Sequence, residues 1–237
     1  MGENICPRQI AFLYRCKFVI VLPVIPGDMG AEIIFECWRS LCTESNEEDV
    51  MIKGINHVYD RFSLLEECGI EWNRVDCPYP FDEDGKISEL YKMYKQRCEE
   101  CKAHGLKIMS LTPNPMRYIR DAGIDIRKPD GYQRIAEVTA FLANDLKGLV
   151  DGWQVGNELN VYFFRAPYDF DEAIRFAEAG MEGIRSVDKE ILCGYNFSEY
   201  DETSIYMMKK LLHRPELYNY IGYDGYCGTW IKGGPDD

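Results

Sequence analysis

Asn157-Glu158 is the pair of residues in this chain whose types and placement most directly offer chemistry. It closes the apolar run Val150-Asp151-Gly152-Trp153-Gln154-Val155-Gly156 and is followed by Leu159-Asn160. Such a run reads as a buried parallel strand that delivers a polar pair to a rim. The amide can hydrogen-bond a ligand hydroxyl, and the carboxyl can exchange a proton. Other polar residues stand at comparable places. Arg74 ends a second run in Glu71-Trp72-Asn73-Arg74-Val75-Asp76, where it either serves a site or stands on the rim in a surface ion pair. Asn114 follows a third in Thr112-Pro113-Asn114-Pro115, a loop stiffened by two prolines. It either faces a cleft or belongs to a plain turn. Asn56-His57 follows the first run, and His57 either binds a ligand hydroxyl or serves ordinary structure. Tyr226 and Trp230 lie in Tyr223-Asp224-Gly225-Tyr226-Cys227-Gly228-Thr229-Trp230. Trp230 offers a flat face for stacking a ligand ring, although a core Tyr and an interface Trp would look the same.

These residues need elements to hold them. Apolar segments begin near Val50, Ile70, Leu106, Val150, Ile191 and Tyr220, with helical patterns between. Leu90, Tyr94 and Cys101 recur at helical spacing before Gly105, as do Ile135, Val138, Leu142 and Leu146 before Gly148. Asp169 with Glu172, and Asp201 with Ser204, look like helix starts. The alternation predicts right-handed crossovers and a parallel sheet. An open nucleotide-binding sheet should carry a glycine-rich turn after its first strand, and Lys53-Gly54-Ile55-Asn56-His57 has none. Polar residues gathered at strand ends favour a barrel instead. At about 31 residues per unit, the chain from residue 51 holds about six units. The expected fold is therefore α/β, a (β/α)8 TIM-barrel type that is incomplete, lacking strands seven and eight. It spans residues 50–237, with an N-terminal extension over 1–49 that does not fit the repeat.

The order Arg74, Asn157-Glu158, Tyr226 on the ends of the second, fourth and sixth strands resembles the clan-A (β/α)8 glycoside hydrolases, over roughly residues 51 to 230. The wording around Tyr226 is similar to that of a β-glycosidase branch. The resemblance implies that Glu158 is the general acid/base. It places Arg74 and Tyr226 beside the nucleophile; Asn157, Asn114, His57 and Trp230, read from their residue types and places, would then bind or support a sugar. Many members carry a His near the position of Asn114, and this chain does not. A retaining mechanism needs a second carboxylate about 5–5.5 Å from the first. The family's nucleophile is a Glu ending the seventh strand. After Tyr226 the only carboxylates are Asp236 and Asp237, and Glu199, near the fifth strand end, has no family support. The expectation is a fragment of a retaining glycosidase without its nucleophile, inactive alone. The alternative is a catalytically inactive carbohydrate-binding or scaffold protein. A barrel lyase or aldolase should show a strand-end Lys or a metal cluster, and neither is evident.

Composition narrows the partners. A net charge of −13 disfavours nucleic acid and anionic membranes and suits a neutral carbohydrate. Cys98-Glu-Glu-Cys101 has metal-like spacing but falls within a helical pattern, without a second pair, so no metal or cofactor is expected. The ten cysteines are scattered and read as buried small hydrophobes in a reduced, cytoplasmic protein, with secretion the alternative. The apolar stretch Lys17 to Ile25 is too short to span a bilayer. His104 and His213 fall near helix C-termini, which suits the helix dipole. Oligomeric state is not legible.

Overall fold

The computed structural model describes residues 54–198 and 201–224. Residues 1–49, Glu199, Tyr226 and Trp230 lie outside the described residues. Six strands run in chain order in one sheet: β1 (Gly54–Asn56), β2 (Trp72–Asp76), β3 (Lys107–Leu111), β4 (Gly152–Gln154), β5 (Leu192–Ser198) and β6 (Tyr220–Asp224). Every neighbouring pair is parallel. Seven α-helices connect them among the described residues: α1 (Phe62–Glu67), α2 (Glu89–Ala103), α3 (Pro115–Ala122), α4 (Gly131–Asp145), α5 (Tyr162–Arg165), α6 (Phe170–Val187) and α7 (Glu202–Leu211). This is an incomplete (β/α)8 barrel, as the alternation of patterns required.

Alternation along the strands separates two layers. One side faces the helices. Asn73 reaches Cys101 of α2, Ser110 meets Tyr94 of α2, and Val155, just after β4, lies against Gly180 of α6. The other side faces the barrel interior, where Arg74, Gln154 and Asn196 approach one another. Gly194 is required there. A Cβ at this position would run into the Tyr220 carbonyl and ring. Its absence lets Tyr220 cross β5 and donate to the Trp153 carbonyl at 3.1 Å.

Local signals fix the helix boundaries. Ser88 caps α2 by accepting from the Tyr91 amide at 3.2 Å. Capping boxes at Asp169/Glu172 and Asp201/Ser204 open α6 and α7, as their spacing predicts. Pro115 occupies the first turn of α3, where the missing N–H costs nothing, so the Pro-rich stretch starts a helix rather than only a turn. His104 ends α2 and stacks on Phe62 of α1 at 4.1 Å. Cys98 and Cys101 lie on the buried face of α2, and the five described cysteines are free thiols. Burial pushes the Cys98 thiol up to about 11 and Cys193 to about 12, which keeps both protonated. One placement differs from the sequence reading. Arg74 does not end its strand but is the third of five residues, because pairing with β3 continues through Asp76.

Candidate active site

The turn after β4 is where the barrel's polar residues converge. Its three successive backbone amides are each held by a side chain from a neighbouring strand or the loop that follows it. Gly156 N donates to Thr112 Oγ1 at 3.0 Å, Asn157 N to Asn114 Oδ1 at 3.0 Å, and Glu158 N to Asn196 Oδ1 at 2.8 Å. Thr112 and Asn114 follow β3, and Asn196 belongs to β5, so the strands flanking β4 grip the turn from both sides.

The grip supports an unfavourable backbone. Glu158 has φ 42°, in the left-handed region, after Gly156 at φ 65°. For a non-glycine residue this costs on the order of 1–2 kcal/mol. Strain of this kind persists where the surroundings over-determine it, and it concentrates at functional sites. Here it aims a carboxyl-bearing side chain that is 6% exposed. Asn160 continues the clamp, donating to Ser198 O at 2.6 Å and accepting from Ser198 N at 3.0 Å. Val161 N donates to Glu158 O at 2.7 Å, and the short helix α5 follows, with Tyr162 and Phe163 among its most exposed aromatics.

A chain of side-chain hydrogen bonds lies across the strands beneath this turn. Arg74 donates through Nε to Gln154 Oε1 at 3.0 Å and through Nη2 to Asn157 Oδ1 at 2.6 Å. Gln154 donates to Gly156 O at 2.8 Å and to Asn196 Oδ1 at 2.8 Å. Asn196 donates to Asn157 Oδ1 at 3.2 Å and to Asp224 Oδ2 on β6 at 2.7 Å. Gln154 and Asn196 are almost completely buried, so their amides need these partners.

Four of the residues singled out in the sequence, Arg74, Asn114, Asn157 and Glu158, therefore meet in one bonded cluster. His57 stands beside it. Its backbone N–H donates to Arg74 O at 3.0 Å, while its ring pairs with Asp76 at 3.3 Å on the exposed rim. The His57 hydrogen bond holds the Asp76 carboxyl below the usual carboxylate range against the opposing effect of burial. Thr112, Gln154, Asn196 and Asp224 were not singled out. Gln154 between Trp153 and Val155, and Asn196 between Tyr195 and Phe197, are single polar residues inside apolar runs. That period-two interruption is the signal that could have found them. Among the described residues no group of His, Cys, Asp and Glu could hold a metal ion.

No protein-family model matches the chain, and no curated protein matches it. Solved structures do. A glucosidase from Croceicoccus marinus superposes with a TM-score of 0.56 at 8% identity, covering 73% of this chain and 43% of that one. The apo structure of a β-glucosidase designated 1317 gives a TM-score of 0.51 at 16% identity, covering 71% of this chain and 54% of that one. Virulence factor SghA from Agrobacterium tumefaciens gives 0.45 at 17% identity over 64% of this chain and 40% of that one. This chain spans from about a third to about half of the length of such structures, 36% at the low end and 55% at the high end. The described residues thus adopt a six-stranded part of the (β/α)8 fold of the first two of these structures.

Proposed function

We propose that this protein is, in its complete form, a glycoside hydrolase in which Glu158 exchanges a proton with the glycosidic oxygen. The observation that carries this reading is the clamped turn. A strained, buried Glu with its backbone amide on Asn196, next to an Asn whose own amide rests on Asn114, is a preorganised acid beside a ligand-binding group. Asn157 Oδ1 is occupied by donors from Arg74 and Asn196, which leaves its Nδ2 as the atom to offer a ligand. The ligand group it meets is then an acceptor, as a sugar hydroxyl is.

A retaining reaction requires a second carboxylate, which we assign to residues outside the described ones, with Tyr226 and Trp230 as supporting groups. Asn114, Arg74 and His57 support the site from beside it. The acidic chain, at −13, suits a neutral carbohydrate rather than nucleic acid or an anionic membrane. No described helix is long and apolar enough to cross a membrane, and the buried free thiols fit a reducing, cytoplasmic setting.

The test is hydrolysis of a panel of nitrophenyl β-glycosides by the 237-residue chain and by a version extended through two further strands. Turnover by the extended protein that Glu158→Ala abolishes supports the reading. Binding without turnover in both would favour a carbohydrate-binding protein, and neither binding nor turnover would overturn both.

A further inference from the structure

Three amides lie between two groups that cannot reverse their hydrogen-bonding sense. Arg74 can only donate, and an ionised carboxylate such as Asp224 can only accept. Between them, Gln154, Asn157 and Asn196 could each be turned end for end without changing shape. The two ends remove that freedom. Arg74 Nε, 3.0 Å from Gln154, fixes an oxygen there, so Gln154 Nε2 must point to Asn196 and to the Gly156 carbonyl. Asp224, 2.7 Å from Asn196, fixes a nitrogen there, so Asn196 Oδ1 must point to Gln154 and to the Glu158 amide. Asn196 is then saturated, accepting two bonds and donating two. Its second donation, with the one from Arg74, turns Asn157 Oδ1 inward.

We infer that Asp224, through the amide of Asn196, is a positioning residue for Asn157 and Glu158, anchoring on β6 the amide that bonds to both. The assignment rests on the site reading above for its functional consequence, but its structural content stands by itself. Asp224 acts through Asn196 and not on the reacting atoms. Its removal leaves an almost completely buried N–H without its charged acceptor, while Gln154 Nε2 and the Glu158 N–H still hold Asn196 Oδ1, so the amide shifts rather than turns.

The experiment compares two variants of Asp224 in the full chain. Asp224→Leu, close in size, removes the acceptor of Asn196 Nδ2, whereas Asp224→Asn keeps an oxygen that can accept that N–H. Side-chain amide resonances of isotope-labelled asparagine report the state of Asn157, identified by its loss in Asn157→Ala. Titration with 4-nitrophenyl β-glucoside reports the ligand. In D224L the Asn157 resonance should move and binding should weaken about tenfold or more, the scale of a lost charge-assisted hydrogen bond. In D224N the resonance should stay near its native position and most of the affinity with it. An Asn157 resonance unmoved in D224L, or a D224N variant no better than D224L, overturns the inference. If the native chain binds no glycoside, the sugar reading fails, while the resonances still decide the role of Asp224.

Discussion

Arg74 and Asn157, 83 residues apart in the chain, are joined by a 2.6 Å hydrogen bond from a guanidinium nitrogen to an amide oxygen. The bond ties the middle of β2 to the turn after β4, across β3, and it commits the oxygen of Asn157 to the protein. That bond leaves the nitrogen uncommitted. A single contact thus links the curl of the sheet to the orientation of Asn157.

Removing Arg74 should unsettle that rim and the barrel together. Arg74→Ala withdraws donors from Gln154 and Asn157, and hydrogen bonds to a charged group contribute roughly 1.5–3 kcal/mol each. Because Arg74 is only half-buried, the lower end of that range is expected in a denaturant melt. Arg74→Lys should recover little, since one ammonium cannot reproduce a fork that serves two acceptors. A lysine variant as stable as the native chain would contradict the two-bond role.

Glu158 should show a conflict between stability and function. Asn tolerates positive φ better than Glu does, so Glu158→Asn should melt no lower than the native chain although a buried side chain has changed. In a complete enzyme, Glu158→Gln should slow glycosides with poor leaving groups by roughly 10²–10⁴-fold and activated aryl glycosides far less, because those need no proton. Equal loss on both substrate types would remove Glu158 from the acid role.

The His57–Asp76 pair predicts a pH dependence of known sign. The Asp76 pKa is depressed in the folded protein, chiefly by the His57 hydrogen bond. Its contribution to stability is present above the unfolded carboxylate value, about 3.9, and is lost as pH falls through the folded value. In His57→Ala the decline in melting midpoint below about pH 4 should be shallower than in the native chain. Parallel curves would show that the pair carries no linkage.

The α4–α6 contact should be intolerant of a single methyl. A Cβ on Gly183 would overlap Ala136 O and Thr139 Oγ1, the first of which is backbone and cannot move aside. Gly183→Ala should cost on the order of 1–3 kcal/mol, at the high end of that range or beyond. By contrast, Gly105→Ala meets open space and should pay only for its left-handed backbone, with φ 79°. Equal melting of the two variants would mean that α6 shifts freely over α4.

Much of the architecture was legible in the chain because its causes are local. Strand starts at Ile70, Leu106, Ile191 and Tyr220 fall within a few residues of the observed strands, since apolar runs bounded by helix stops leave few alternatives. Asp169/Glu172 and Asp201/Ser204 satisfy their own helix ends, so their meaning is contained in four residues. The short helices α1 and α5 lacked that support and went unread. Asn157-Glu158 stood out because a polar pair closing an apolar run is visible in one dimension. Its surroundings were not. Parallel strands are buried on both faces, so nothing local tells whether Gln154 or Trp153 points inward. That was decided by Arg74 from β2, Asn196 from β5 and Asp224 from β6, brought together only by the closing of the sheet. The sequence by itself determined the repeat and the place of Asn157-Glu158 just after a strand. The tertiary structure decided which way each amide faces, because hydrogen-bond polarity is set by partners that lie far apart in the chain.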